Sequence, residues 1–177
     1  MRSDVCPLSS VLNQRQQWVV PVYQRHYEWE TGQDKQIPKL WDDLKDKVTE
    51  SLDKRTPFPH YFGAIIFSEP PSQPYGVVPQ RFLVDGQQRI ITFQLTLVAI
   101  REVARDYQMS RILDAIDAYL YNERGTSMIK PDRERFKLWP SSFDRLLYQN
   151  ILESTTDKLR ELPVSYTHLT LPTILLV

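Results

Sequence analysis

The sequence predicts an α+β domain, and three observations support this prediction. Short runs rich in β-branched and aromatic residues alternate with longer stretches whose apolar residues recur at helical spacing. A breaker at Asp85 and Gly86 separates one such run from the longest helical stretch. Apolar residues make up 41% of the 177-residue chain, which is enough for one domain with a core.

The N-terminal half is predicted to alternate helices and strands. Helices are expected over 7–17, 33–52 and 87–107, and strands over 18–22, 61–67 and 81–84. Thr31 is the expected N-cap of the second helix. The apolar stripe of that helix consists of Ile37, Leu40, Trp41, Leu44 and Val48. The helix over 87–107 is apolar over so much of its surface that we expect it to be central and packed on the sheet.

The C-terminal half is predicted to be mostly helical. We expect a helix over 110–121, a loop over 122–132, a short strand over 136–139, and a helix from Ser141 or Ser142 to about Leu152. The residues expected to face inward from this last helix are Phe143, Leu146, Leu147 and Ile151. The mixed-sign run 130–135 is predicted to be a solvated loop rather than a DNA contact. Arg101, Arg105 and Arg111 could form a basic edge, but solvated helix faces explain them at least as well.

The tail differs in character from the rest of the chain. Residues 164–173 resemble the in-frame translation of a transposon adapter used in sequencing-library preparation. On this interpretation residues from about 164 onward are not native, and the chain is truncated at its C-terminal end. The alternative is a genuine C-terminal strand over 166–171.

Charge and cysteine content limit the classes of function. Lysine plus arginine equals aspartate plus glutamate, 22 against 22, so DNA contact through overall charge is not expected and would need a local patch or another domain. The one cysteine, Cys6, rules out a disulfide within the chain and a cluster of thiolate ligands. No secretory signal and no membrane-spanning apolar run are seen, so we expect a cytoplasmic protein.

The chemically richest segment is a β-run followed by an Asp-Gly turn and the start of the long helix. The first amide groups of a helix lack partners and lie at the positive end of its dipole, which favours phosphate. Gly86 permits a tight turn, Arg89 can bind phosphate oxygens, and Asp85 can hold Mg²⁺. Gln87 and Gln88 can orient water or contact a base or sugar. The alternative for the isolated motif is a helix cap with solvated side chains.

An aromatic segment upstream, residues 19–29, adds candidate binding groups. Tyr23 and Tyr27 can stack on a base, Gln24 can contact a base edge, and Arg25 can bind phosphate or carboxylate. Taken alone, this segment favours a small aromatic core in which Arg25 forms an ion pair.

Four segments in order, 20–29, 40–44, 61–65 and 84–92, resemble the GmrSD restriction-endonuclease N-terminal domain family. That family's hallmarks look like I-P-x-Y-Q-R-x-Y-x-W, L-W-D-D-L/I, Y-F-L-G-S-I and V-D-G-Q-Q-R-L-T-T. Here the leucine between Phe62 and Gly63 is missing, and Ile91 replaces the first threonine of the last motif. The second departure puts in doubt any role of that hydroxyl group.

The resemblance implies a fold similar to the ParB/sulfiredoxin superfamily, in which a strand-turn-helix with an arginine holds nucleotide phosphates. It implies a nucleotide-handling domain over 1–109 and the start of an incomplete helical region over 110–163, before the adapter-like tail over 164–177. The implied activity is Mg²⁺-dependent hydrolysis of GTP, UTP or ATP, which regulates a modification-dependent, type IV-like restriction or anti-phage endonuclease.

The same resemblance implies partners and residue roles. An HNH nuclease, fused or separate, would cut modified phage DNA; His26, His60 and His168 are too scattered to supply that nuclease here. The implied catalytic residues are Asp85, Gln88 and Arg89, with Asp85 also the metal ligand. The implied nucleotide-binding residues are Tyr23, Gln24, Arg25, Tyr27, Gly86 and Gln87. Alternatives are a non-hydrolytic module that senses a nucleotide or modified DNA, and an inert fragment.

Overall fold

The structure, a computed structural model, describes residues 4–30, 35–53, 59–122 and 128–154. The helices in these ranges are α1 (Leu8–Asn13), α2 (Gln36–Leu52), α3 (Gln87–Asp106), α4 (Ser110–Leu120), α5 (Pro131–Glu134) and α6 (Arg145–Glu153). The strands are β1 (Gln17–Val19), β2 (Ile66–Ser68), β3 (Gln80–Asp85) and β4 (Leu138–Trp139). The predicted cap Thr31 and the tail from 164 lie outside the described residues.

The strands form one mixed sheet in the order β2-β3-β1-β4. Strand β1 pairs in parallel with both β3 and β4, and β2 pairs antiparallel with β3. Parallel pairing requires crossover connections, and these contain the helices. The predicted α+β class is therefore confirmed.

Strand β1 is central because a buried glutamine ties it to the segment before β4. The Gln17 side chain is fully buried, and its Nε2 donates to the carbonyl oxygens of Arg133 at 2.6 Å and Phe136 at 3.0 Å. The backbone N–H of Trp18 donates to the carbonyl of Lys137 at 2.7 Å. A buried amide that satisfies backbone carbonyls stabilises one arrangement of the chain over others. These bonds join residues more than 100 positions apart.

Helix α3 is the centre of the core, as predicted. Of its 20 residues 14 are buried, including Ile90, Leu95 and Val98. The same core takes in Leu120 of α4 and Ile151 of α6. The two predicted parts of the chain thus contribute to one core within the described residues, and the division at 109 stays a prediction.

An arginine that the sequence places on a solvated face is in fact buried between helices. Arg101 is 4% exposed, and its Nη2 donates to the carbonyl of Leu152 at 2.5 Å. Its Nη1 lies 3.3 Å from the Tyr121 hydroxyl and 3.4 Å from Asp117 Oδ1. The prediction was wrong because an apolar helix can bury one charge where acceptors at α4 and α6 bind the two terminal nitrogens of its guanidinium group.

Helix α2 forms as predicted, but its apolar stripe is only partly covered by other described residues. No residue of α2 is classed as buried, and Trp41 and Val48 are 37% and 58% exposed. The helical period determines which residues share a face, but it does not determine what packs against that face.

Three further predictions differ from the structure. Residues 61–65 are not a strand, because Gly63 has a φ of 98°, which a β-ladder does not accommodate. Phe143 and Leu146 are 73% and 70% exposed, since α6 begins only at Arg145 and turns another face inward. The run 130–135 contains α5, whose buried Glu134 accepts a hydrogen bond from the backbone N–H of Val78 at 3.2 Å.

Across the described ranges, every helix is too short or too polar to traverse a lipid bilayer.

Replacing Arg101 by alanine is expected to destabilise the fold by about 3–5 kcal/mol, because the change removes one member of a buried charged network. The free energy of unfolding from urea titration followed by circular dichroism measures this. Arg111→Ala is the control, since Arg111 is exposed on α4 and its loss should cost less than about 0.5 kcal/mol. Equal stability of the two variants would contradict the structural role of Arg101.

Candidate functional site

A polar cavity of about 120 Å³ lies where β3 ends and α3 begins. Its lining combines the aromatic segment with the Asp-Gly turn, and consists of Gln24, Arg25, Trp29, Asp85, Gly86, Gln87, Gln88 and Arg89. The first and fourth family-like segments, which are separated by some 60 residues of sequence, therefore form one site.

The turn itself has the geometry that the sequence predicts. Gly86 is the N-cap residue of α3, with a φ of 95° in the left-handed region that favours glycine. No side chain caps this helix, and the backbone N–H of Ile90 is the first to bond back, to the carbonyl of Gly86 at 3.0 Å. The amide groups of the first turn are thus left for another acceptor, at the positive end of the helix dipole.

Two buried glutamine side chains attach the aromatic segment to this helix start. Gln87 Nε2 donates to the carbonyl of Arg25 at 2.9 Å. Gln88 Nε2 donates to the carbonyl of His26 at 2.9 Å, and Gln88 Oε1 accepts from the N–H of Glu28 at 2.9 Å. Both glutamines are less than 8% exposed, so these three bonds are sheltered from water. They fix the position of the segment from Arg25 to Glu28 relative to α3.

Asp85 and Arg89 lie side by side at the cavity. Arg89 Nη2 is 3.1 Å from Asp85 Oδ2 and 2.5 Å from the carbonyl oxygen of Ala64. The Asp85 side chain is 61% exposed and the Arg89 side chain 26%, so the carboxylate is much the more accessible to a ligand. Arg89 Nε has no hydrogen-bond partner among the described residues.

The backbone of the third family-like segment, residues 61–65, packs against the ion pair of Asp85 and Arg89. A Cβ added at Gly63 would lie 3.1 Å from Arg89 Nε, and a Cβ added at Gly86 would lie 3.2 Å from the carbonyl oxygen of Ala64. Both glycines have positive φ, so both conformation and space favour the absence of a side chain. The two glycines let residues 63–65 pack directly against the turn.

The remaining predicted binding residues divide into two groups. Gln24 and Arg25 line the cavity; Gln24 Nε2 donates to the carbonyl of Val84 at 3.0 Å, and Arg25 pairs with Glu28 at 3.0 Å. The Arg25 side chain is 67% exposed, so this pair is readily exchanged for another anion. Tyr23 is 76% exposed and does not line the cavity.

Tyr27 cannot stack on a base in this structure, contrary to the prediction. It is 1% exposed, and its hydroxyl is 2.7 Å from Thr92 Oγ1 on α3. Its backbone N–H donates to Asp144 Oδ2 at 3.0 Å. Burial raises the pKa of the Tyr27 phenol well above its usual value, although the bond to Thr92 partly opposes this. Tyr27 therefore belongs to the core that supports the site.

Gln88 is likewise a supporting residue, since both polar atoms of its amide are bound to backbone and the residue is only 7% exposed. No role was predicted for Trp29, which lines the cavity, or for residues 63–65, which pack against the turn. The tryptophan of the first family-like segment and the glycine of the third were the signals that could have indicated them.

The donor set fits Mg²⁺ only together with a phosphate ligand. Within the described ranges no group of three or more histidine, cysteine, aspartate or glutamate side chains could hold a metal ion. Among the cavity-lining residues the single carboxylate is that of Asp85. Magnesium in proteins is commonly bound by one or two carboxylates, with phosphate oxygens and water completing the shell. Asp85 can supply the protein's part of such a shell.

Comparison with known families gives one match. The model of the GmrSD restriction endonuclease N-terminal domain matches residues 8–170. No curated protein matches the chain. The family match extends beyond 163, and the adapter origin of the tail stays a prediction.

Gln88→Leu is expected to destabilise the protein by about 1–3 kcal/mol, because it leaves the part-buried N–H of Glu28 and carbonyl of His26 without their side-chain partner. Urea titration measures the loss, and Gln36→Leu, at an exposed position in the first turn of α2, is the matched control. An unfolding free energy for Gln88→Leu equal to that of the control would show that these bonds do not hold the segment.

Proposed function

The chain belongs to the GmrSD restriction endonuclease N-terminal domain family, and on this premise we propose that it binds and hydrolyses a nucleoside triphosphate. In this proposal the domain regulates a modification-dependent restriction or anti-phage endonuclease. The observation that supports it is the polar cavity lined by the Asp85 carboxylate, the Arg89 guanidinium and the uncapped start of α3.

Phosphate binding follows from the groups that surround the cavity. The unbonded amides of the first turn of α3 and the helix dipole attract an anion. Arg89 supplies a full positive charge, and its bond to the carbonyl of Ala64 holds the guanidinium at the cavity. Arg25 can add a second positive charge by leaving Glu28, because both side chains are exposed. A cavity of about 120 Å³ suits the phosphate groups, with the base lying outside.

Hydrolysis requires a group that handles the attacking water, and Asp85 is the candidate. Its exposed carboxylate can accept a hydrogen bond from water or coordinate Mg²⁺. Asp85 would hold Mg²⁺, which when bound would supply positive charge to neutralise the phosphate. The carboxylate would then compete less for Arg89, which could stabilise the charge that develops on the leaving oxygens. Gln88, which the sequence analysis placed in this step, acts instead by holding residues 26–28.

The finer fold assignment and the partners are part of the same proposal. The order β3, Gly86, α3 is the strand-turn-helix expected of a ParB/sulfiredoxin-like phosphate site. An HNH nuclease, fused to this domain or in a separate subunit, would cut modified phage DNA. GTP, UTP and ATP are the candidate nucleotides.

Asp85→Asn is expected to separate binding from turnover. Without Mg²⁺ the variant should bind nucleotide more tightly than wild type, because the change removes a negative charge that repels phosphate and competes for Arg89. With Mg²⁺ its rate of phosphate release should fall about 100-fold or more. Nucleotide affinity by calorimetry and phosphate release from GTP, UTP and ATP measure the two effects.

Asp42→Asn is the matched control for this experiment. Asp42 is 66% exposed and pairs with Lys45 at 2.7 Å, much as Asp85 pairs with Arg89, but it lies on α2. Arg89→Ala should lose both binding and turnover. Wild-type turnover in the Asp85 and Arg89 variants would disprove the assignment of this site.

A second candidate function is binding without hydrolysis, in which the domain senses a nucleotide or modified DNA. One observation favours it: both amide atoms of Gln88 are occupied, which leaves few groups at the cavity that could activate water. Tight nucleotide binding by the wild-type chain without phosphate release would support this candidate over the first.

A further inference from the structure

Two arginines and a tryptophan form a second cationic cluster. Arg133 lies at the end of α5, Trp139 at the end of β4, and Arg145 at the start of α6. The guanidinium carbons of Arg133 and Arg145 lie 5.3 and 4.6 Å from the centre of the Trp139 ring. All three residues are half-buried. We call these residues the Arg-Trp-Arg cluster.

This cluster has no acidic partner in direct contact. Within the part of the chain that the structure describes, neither Arg133 nor Arg145 has a carboxylate oxygen within 4.0 Å. The pKa of Arg133 is lowered mainly by burial and further by the positive charge of Arg145, whereas the negative charge of Glu134 opposes both effects. The Glu134 carboxylate accepts hydrogen bonds from the backbone N–H groups of Val78 and Lys130. Two like charges therefore lie close together, and an anion between them would relieve their repulsion.

The surrounding structure holds the two guanidinium groups in place. Arg133 Nε donates to Gln17 Oε1 at 3.3 Å, and Gln17 belongs to the central strand. Arg145 Nη2 donates to the carbonyl of Pro140 at 3.4 Å. Trp139 is fixed by its pairing with Val19. Each arginine keeps further N–H donors, so the cluster presents prearranged donors at little cost in side-chain entropy.

We infer that the Arg-Trp-Arg cluster binds a phosphodiester group of the DNA on which the restriction system acts, an inference that rests on the proposed function. Guanidinium groups match the geometry of phosphate oxygens and can bind them with two parallel hydrogen bonds. The chain has no net charge, so contact with DNA must come from such a local concentration of positive charge. The aromatic ring keeps the arginines extended for contact with the backbone of the duplex.

The test measures the affinity of the full chain for a labelled DNA duplex of about 20 base pairs, without nucleotide or Mg²⁺. Fluorescence anisotropy gives this affinity over a range of salt concentrations. Arg133→Gln and Arg145→Gln should each weaken binding several-fold and lower the slope of log affinity against log salt by about one. The matched control is Arg135→Gln. Arg135 also lies over an aromatic ring, Phe136 at 4.5 Å, but it is paired with Glu153.

Equal affinity and salt slope for wild type and all three variants would overturn the inference, as would equal losses in all three. If the Arg133 and Arg145 variants lost affinity for polyglutamate to the same extent as for DNA, the result would point to an acidic protein as the partner. That outcome would also overturn the inference. Thermal melts check folding, and Arg133→Lys and Arg145→Lys provide second variants that keep the charge. These should retain part of the affinity, whereas affinities as low as those of the glutamine variants would count against the phosphate contact.

Phosphate release measured in the absence of DNA separates this inference from the proposed function. The Arg133 and Arg145 variants should release phosphate at the wild-type rate, since neither residue lines the cavity at Asp85. If the chain hydrolyses no nucleotide but its DNA binding weakens in the Arg133 and Arg145 variants, the result would support the role of the cluster and refute the proposed hydrolysis. Hydrolysis with DNA binding that is insensitive to both arginines would refute the cluster alone.

Discussion

Three part-buried hydrogen bonds made by the side chains of Gln87 and Gln88 hold the candidate site together. They join the backbone of residues 25–28 to the start of α3, across some 60 residues of sequence. Together with the bond between the Tyr27 hydroxyl and Thr92 on α3, they fix the position of the aromatic segment relative to the helix dipole and give the cavity its second wall. The adjacent pair of glutamines in the D-G-Q-Q-R motif is thus explained by architecture, since one residue could not reach three backbone groups.

The charges at the site are arranged to be exchanged. The contacts of Asp85 with Arg89, and of Arg25 with Glu28, are pairs with at least one exposed partner, which contribute little to stability and are easily replaced. Arg101 is the contrast, because its charge is buried and satisfied by groups on other helices. Exposure rather than residue type therefore separates the charges available to a ligand from those that hold the fold.

The sequence was sufficient to predict the elements whose pattern is local. The strand, the turn at Gly86 and the long helix α3 follow from β-rich composition, one glycine and an apolar period. Contacts between distant segments could not be predicted in the same way. Nothing in the local pattern shows that Tyr27 is buried while Tyr23 is exposed, or that Gln88 is bound to backbone, because those outcomes depend on which residues pack opposite them. The sequence therefore indicated where the site is better than what each residue does there.

Gly63 shows how a residue without a functional group can determine the electrostatics of the cavity. A Cβ added at Gly63 would lie 3.1 Å from Arg89 Nε, so a larger residue there would require the Arg89 side chain, which bonds to the carbonyl of Ala64, to shift by a few tenths of an ångström. The location of the positive charge is thus specified partly by an absent methyl group on a different segment of the chain. A survey restricted to ionisable side chains would overlook this position, although a relative that carries alanine there would present a differently shaped electric field to the same ligand.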